Sequence, residues 1–276
     1  MSDSPDLARL LPAMTQIVRE AGEIAAGYFR PGAATTATIA HKDGGSPVTE
    51  ADHRVDAFLR KHLEALEPAA GWLSEETADG PERLSRSLLF IVDPIDGTRA
   101  FMRGDPRWAV SVALIRDGYP ALGIVHLPAR GETFTAALDG GAHRNAERIR
   151  VSGRSRGQGA LVAGPRTTLD ALARNGLQFR TEPRIPSLAY RLVRVADGSL
   201  DVAIASTNAC DWDIAAADLI IHEAGGRLVD ESGIRPRYNR TATRHETLGA
   251  WSGQMHDEMQ SALNRALALE KSAPLS

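Results

Sequence analysis

Six consecutive residues, Asp93-Pro94-Ile95-Asp96-Gly97-Thr98, hold the types and spacing best suited to chemistry. They directly follow Leu88-Leu89-Phe90-Ile91-Val92, an apolar run too short for a helix, which reads as a central buried strand. Carboxylates at the end of a buried strand are costly unless something positive neutralises them. Pro94 removes a backbone donor and ends the ladder, while Gly97 permits an unusual turn or a close approach of backbone to a ligand. The segment therefore reads as a loop that projects acidic side chains and free amides into one small space. A hard cation would compensate the carboxylates.

Two other acidic sites are candidates to converge there. Ser74-Glu75-Glu76 follows the short apolar Trp72-Leu73, and Asp211-Trp212-Asp213 opens a helix. The donors these segments offer are oxygens, and the single cysteine, Cys210, excludes a thiolate zinc cluster and an internal disulfide. Such a donor set favours magnesium or manganese over zinc. Paired ions about 3.5–4 Å apart would activate water and stabilise both oxygens of an in-line phosphoryl displacement. Each acid also has a bland reading: Asp96-Gly97 as a turn, Asp93-Pro94 as a strand terminator, Asp213 as a helix cap, Glu75-Glu76 as solvated surface, and Asp52 as the acid of a capping box. Taken singly, the bland reading is favoured for all but the loop 93–98, and spacing alone does not show that these groups meet.

The elements that must position these residues alternate along the chain. Leu7, Leu10, Leu11, Met14, Ile17, Val18, Ala21, Ile24 and Ala25 predict an amphipathic helix over residues 6 to 29, closed by Pro31-Gly32. Residues 42–47 read as a loop whose Gly44-Gly45 supports mobility, and Thr49-Glu50-Ala51-Asp52 as the capping box of a helix buried through Val55, Phe58, Leu59, Leu63 and Leu66. Strands are expected at 109–115 and 121–127, joined by Asp117-Gly118, with 133–137 and 149–151 extending the sheet. The second half predicts a strand at 161–163, helices at 169–174 and 187–196, a strand at 200–205, a helix at 213–224 stopped by Gly225-Gly226, and a last helix at 255–269. The pattern is layered α/β. It divides into an N-terminal half, 1–150, with the metal site, and a C-terminal half, 151–276, contributing Asp213 and substrate contacts.

Composition narrows the class. The 276 residues are 43% hydrophobic and 24% charged, with formal net charge -3, ordinary for a soluble protein. Basic residues are dispersed and fewer than acidic ones, which argues against nucleic acid and an anionic membrane as partners, and against a nuclease. No apolar run spans a bilayer, and Met1 to Asp6 lack the layout of a signal peptide, so the cytoplasm is the expected location. A serine hydrolase ranks lower still, on the expectation that no Gly-x-Ser-x-Gly elbow anchors a nucleophile. Cys210 reads as a small buried hydrophobe.

Four segments in this order, Ser46-Pro47-Val48-Thr49-Glu50-Ala51-Asp52, Leu73-Ser74-Glu75-Glu76, Asp93-Pro94-Ile95-Asp96-Gly97-Thr98 and Trp212-Asp213-Ile214-Ala215-Ala216, together resemble the inositol monophosphatase superfamily of lithium-sensitive phosphatases. Glu223-Ala224-Gly225-Gly226 looks similar too, so the resemblance covers residues 40 to 230. It implies an α-β-α-β-α sandwich and a Mg2+-dependent phosphomonoesterase with two or three ions, Mn2+ being an acceptable substitute. Glu75, Asp93 and the Ile95 carbonyl would bind one ion, and Asp93, Asp96 and Asp213 a second. Glu75, supported by Glu76, would reach a weaker third. Thr98 and Asp52 match residues that assist and orient the nucleophilic water, and the amides of Gly97 and Thr98 those that hold phosphate. Direct attack by water, without a phosphoenzyme, is implied, as are lithium inhibition and a homodimer. A loop containing Lys42 and Ser46-Pro47 would close over the metals.

The same resemblance leaves several small phosphorylated metabolites as substrates: inositol monophosphates first, then 3'-phosphoadenosine 5'-phosphate, histidinol phosphate or fructose 1,6-bisphosphate. Ser206 stands where inositol-specific members carry a glutamate, a departure from strict inositol specificity. Ser46-Pro47-Val48-Thr49, Leu73-Ser74-Glu75-Glu76-Thr77 and Arg99 look rather like the bisphosphate nucleotidases. Arg99, Arg103 and Arg107 are candidates for a second phosphate, Tyr190 and Arg191 for the pocket wall, and Asp213 for a substrate contact. Packing and solvated charge are the competing roles for these side chains. A regulatory binding protein on the same fold is the non-enzymatic alternative; intact ligands count against it.

Overall fold

The computed structural model describes residues 7–272, so Met1 to Asp6, and with them the first residue of the predicted N-terminal helix, lie outside the described residues. After one turn of 3-10 helix, α1 spans Leu11–Tyr28 and buries Met14, Val18, Ala21 and Ala25, one face at helical spacing. A short hairpin, β1 (Ile39–His41) and β2 (Pro47–Thr49), leads into α2 (Glu50–Leu66). These two helices pack together on one face of a seven-stranded sheet.

That sheet runs in the order β3 (Gly71–Ser74), β4 (Leu88–Asp96), β5 (Ala109–Arg116), β6 (Tyr119–Leu127), β7 (Glu132–Ala137), β8 (Gly141–Arg144) and β9 (Glu147–Arg148), with the short helix α3 (Thr98–Met102) between β4 and β5. Only β3 and β4 are parallel; the rest is an antiparallel meander. The expected strand at 149–151 is absent, because the β8–β9 hairpin ends the sheet and the Val151 amide donates instead to the Ala224 carbonyl.

A five-stranded sheet follows, ordered β11 (Phe179–Thr181), β10 (Ala160–Ala163), β12 (Val202–Ala205), β14 (Leu248–Ser252), β13 (Gly226–Val229). Between the sheets lie α5 (Leu188–Ala196) and α6 (Asp211–Glu223), and outside the smaller sheet pack α4 (Arg166–Arg174) and α7 (His256–Ser272). The result is the expected α-β-α-β-α order. Its middle layer explains the composition of α6: Ile214 to Leu219, Ile220 and Ile221 are buried around the whole helix, since sheets cover both sides. Gly123 on β6 allows that closeness, because a Cβ there would lie 2.6 Å from the Ala216 carbonyl oxygen. The predicted strand at 200–205 begins only at Val202, and Met255 belongs to a 3-10 turn ahead of α7. Among the described residues no helix is long and apolar enough to cross a membrane.

Candidate active site

The acidic segment expected to be a loop stays in the sheet as far as Asp96. Its register against β5 moves from Asp93–Ser111 to Asp96–Ala109, three steps on one strand against two on the other. Residues three apart on a regular strand point to opposite faces; this bulge returns Asp96 to the side of Asp93. The Ile95 amide, which has no place in the interrupted ladder, donates to Asp93 Oδ1 at 3.1 Å. Gly97 then takes φ +94°, the left-handed region, and starts α3.

α6 supplies the third acid. Asp213 is the third helical residue and its Oδ2 accepts from the Cys210 amide at 2.6 Å, so the helix-cap reading is correct as far as it goes. The same side chain meets the strand acids: Asp93, Asp96 and Asp213 each bring an oxygen within 4.8 Å of the others. Among the described residues this is the one group of three acidic, histidine or cysteine side chains so arranged. Burial drives the Asp213 carboxyl up to about 8, with Asp96 adding repulsion. Burial likewise raises Asp93 well above the carboxylate range, reinforced by Glu75, Asp96 and Asp213. Asp96 rises only to about 6, because Ser187 Oγ and the amides of Ala189 and Leu188 oppose the effect of burial. Buried oxygens that repel one another fit a hard divalent cation, which would reverse the penalty.

Glu75 lies on the cleft wall outside that trio, with Lys42 Nζ 2.9 Å from its Oε1 and 2.8 Å from Glu76 Oε1. Burial lifts Glu76 to about 7 despite that ammonium. Burial draws Lys42 down, but the two glutamates outweigh it and its pKa rises. On α2, Asp52 fulfils its capping box: Oδ2 accepts from the Thr49 amide at 2.8 Å and the Thr49 hydroxyl at 2.6 Å. Its other oxygen, Oδ1, faces Thr98 Oγ1 at 3.4 Å, and Thr98 Oγ1 also lies 3.1 Å from the Ile95 carbonyl. Burial raises Asp52, with the Thr49 bonds opposing. A cleft of about 400 Å³ opens beside these groups, and Glu75, Asp93, Asp96, Gly97, Thr98 and Asp213 are among the residues that line it.

The sequence profile of the inositol monophosphatase family matches residues 6–268. The chain belongs to the inositol monophosphatase family. It is 35% identical over 79% of its length to a histidinol-phosphatase of Mycobacterium tuberculosis, covering 85% of that protein. It is 33% identical over 91% of its length to inositol monophosphatase 2 of Solanum lycopersicum, covering 96% of it. Among solved structures, the extragenic suppressor protein suhB of Bartonella henselae superposes with TM-score 0.78 at 29% identity, over 91% of this chain and 97% of that one.

Not every residue expected to serve this inositol monophosphatase-family site lies in the cleft. Gly97, Thr98, Arg99 and Asp213 line it together, with Arg103, Arg107 and Arg184. Arg107 is occupied: its guanidinium forks onto Asp105 at 2.9 and 2.6 Å and donates to the Arg184 carbonyl. Tyr190 is buried under the Arg130 guanidinium, 5.3 Å from its ring centre, and does not line the cleft. Arg191 lines a neighbouring cavity with Ser206. A Gly-x-Ser-x-Gly spelling does occur, Gly153-Arg154-Ser155-Arg156-Gly157, correcting the expectation of none. It lies in an irregular, mostly exposed segment before β10, without the strand-to-helix turn that an elbow needs.

Three positioning residues escaped the sequence. Ser187, the N-cap of α5, also grips Asp96 at 2.5 Å. Asp56, one turn after Asp52 on α2, accepts from Ser74 Oγ at 2.5 Å and Thr77 Oγ1 at 2.7 Å, fastening the loop that carries Glu75. His245 Nε2 meets Asp211 Oδ1 at 2.6 Å at the start of α6. Ser187 was legible as a cap, but nothing local names the distant acid that each of these holds.

Proposed function

We propose that this cleft hydrolyses the phosphate monoester of a small metabolite, with Mg2+ held by Glu75, Asp93, the Ile95 carbonyl, Asp96 and Asp213. Membership of the family makes the chain a phosphoric monoester hydrolase; the metal's identity, the roles of the residues and the substrate are our reading. The observation that carries it is the convergence of three carboxylates, two buried and one half-buried, on one bulged strand and one helix start. Bound divalent ions would neutralise these acids, draw charge from the phosphoryl oxygens and make water a better nucleophile near neutral pH.

The chain's own groups do the aiming. Asp52 Oδ2 is fixed by its capping box, so Oδ1 is left to accept the Thr98 hydroxyl proton. Thr98 Oγ1 then has lone pairs free to accept from the attacking water and orient it. The opening amides of α3 have no intrahelical acceptor and suit the phosphate oxygens. Cys210 is pushed up to about 12 by burial, which suits a packed thiol rather than a nucleophile.

Inositol monophosphates are the substrates the family name suggests. A second reading, a bisphosphate such as 3'-phosphoadenosine 5'-phosphate, is favoured by exposed Arg99, Arg103 and Arg184 along the same cleft. Lithium inhibition, a homodimer, and a split into halves at residue 150 belong to the same proposal. So does a cytoplasmic location, which a single free buried cysteine suits. Phosphate release from inositol 1-phosphate, histidinol phosphate and 3'-phosphoadenosine 5'-phosphate, with Mg2+ and with EDTA, tests the core reading. Release only with the metal is expected, and its loss in Asp93→Asn; release unaffected by EDTA would sink it.

A further inference from the structure

A second cavity, about 590 Å³, adjoins the catalytic cleft and shares Arg184 and Pro186 with it. Its charged lining sorts into groups that are used and groups that are not. Arg166 pairs with Asp170 at 2.9 Å, and Glu182 is held by Arg194 at 2.6 Å. Arg184 is exposed and its side chain makes no ion pair. Arg191 projects from α5 into the same space, and its Nε is buried with no hydrogen-bond partner. Asp96 and Asp213 attract it from the catalytic side, yet neither forms an ion pair with it. Ser206 adds a hydroxyl and no negative charge.

A buried donor left unsatisfied is costly, so an arginine kept this way calls for an acceptor from outside the chain. The planar guanidinium fork matches phosphate and carboxylate oxygens. We propose that Arg184 and Arg191 form a subsite for a second anionic group on the alcohol portion of the substrate. The preferred substrates are then phosphate monoesters whose alcohol bears a further phosphate or carboxylate, rather than neutral polyols. This rests on the phosphomonoesterase reading and narrows it. The simpler role for Arg191 is a counter-charge for Asp96 and Asp213.

Paired substrates separate the two. With the Mg2+-loaded enzyme, kcat/KM is compared for 3'-phosphoadenosine 5'-phosphate against adenosine 3'-monophosphate, and for 2-phosphoglycerate against glycerol 2-phosphate. The first pair adds a phosphate and the second a carboxylate. The second anion should raise kcat/KM tenfold or more in at least one pair, equivalent to about 1.4 kcal/mol. Arg191→Gln and Arg184→Gln should each move that ratio toward one, chiefly through KM, and Arg191→Lys should recover part of it. Since Arg184 is exposed, its variant remains informative even where Arg191→Gln fails to fold. Wild-type ratios near one, or variants that slow both members of a pair alike, overturn the subsite. No phosphate release from any of the four, nor from inositol 1-phosphate, instead removes the phosphatase reading and the subsite with it.

Discussion

The backbone amide of Cys210 donates a 2.6 Å hydrogen bond to Asp213 Oδ2, while Asp213 also brings an oxygen within 4.8 Å of those of Asp93 and Asp96. One side chain therefore starts a helix and completes an acidic cluster. Because the cap fixes its rotamer, the second role needs little further ordering of the side chain.

The two roles separate by substitution. Asp213→Asn keeps an oxygen able to accept from Cys210 but removes the charge, so the fold should survive and phosphatase activity should fall on the order of 10²–10³-fold or more. Asp213→Ala should show the same activity loss plus about 1 kcal/mol of lost stability from the missing cap. Thermal melts and phosphate-release assays on both variants check this. Asparagine retaining near-full activity would contradict a charge role.

Stability without metal should fall as pH rises from 6.5 to 8. Glu76 at about 7 and Asp213 at about 8 are acids whose folded-state pKa lies above the ordinary value. Across that window the native state holds more protons than the unfolded chain, so each rise in pH favours unfolding. His126, which burial lowers to about 4, acts the other way, but its effect fades above about 6.5 as the unfolded imidazole loses its proton, so the fall should be clearest in the upper half of the window. Excess Mg2+ should reverse the slope, since cation binding displaces those protons and strengthens with pH. Melting in EDTA and in Mg2+ at both ends of the window measures it; an EDTA midpoint that climbs with pH would contradict the shifts.

The same acids show what the chain discloses locally. The apolar run 88–92, the capping box at Thr49–Asp52 and the helix-starting role of Asp213 are short-range signals, and all appear in the structure. Continuation of β4 through Pro94 to Asp96 was not legible. A proline inside a strand argues against pairing, and only the bulge opposite Ser111 and Ala109 accommodates it. β13 and β14 also escaped notice: each has four or five residues, one or more of them glycine, and pairs with partners distant in sequence. Ser187, Asp56 and Lys42 act through side chains far from their own positions, and periodicity carries no information about such pairings.

Thr98 is expected to matter to turnover more than to binding. Thr98→Val keeps the shape while removing the hydroxyl that lies between Asp52 Oδ1 and the Ile95 carbonyl. Loss of a positioned proton-handling group typically costs about 10²–10⁴-fold, and the loss should fall on kcat with little change in the Mg2+ concentration for half-activity. Thr98→Ser should retain most of the rate. A covalent route would show itself differently: quenched wild-type reactions with labelled substrate should contain no phosphorylated residue.

Ser187 tests whether the grip on Asp96 tunes the cation site. Its hydroxyl donates to Asp96 Oδ2 at 2.5 Å and accepts from the Tyr190 amide at 3.0 Å, so Ser187→Ala removes an N-cap as well as a donor. The cap should cost about 1 kcal/mol of stability, independent of metal. Loss of the donor acts on charge. The hydroxyl opposes the rise that burial imposes on Asp96, now at about 6, so its removal should raise that carboxyl further. Protons would then compete better with Mg2+, and apparent Mg2+ affinity should fall by about 10-fold or more at pH 6.5, on the scale of losing a supporting hydrogen bond to a metal ligand. At pH 8.5 Asp96 is ionised in both proteins, so the gap should narrow. Equal weakening at the two pH values would mean that Ser187 acts on helix packing alone, because a shift in protonation must disappear once the proton has left.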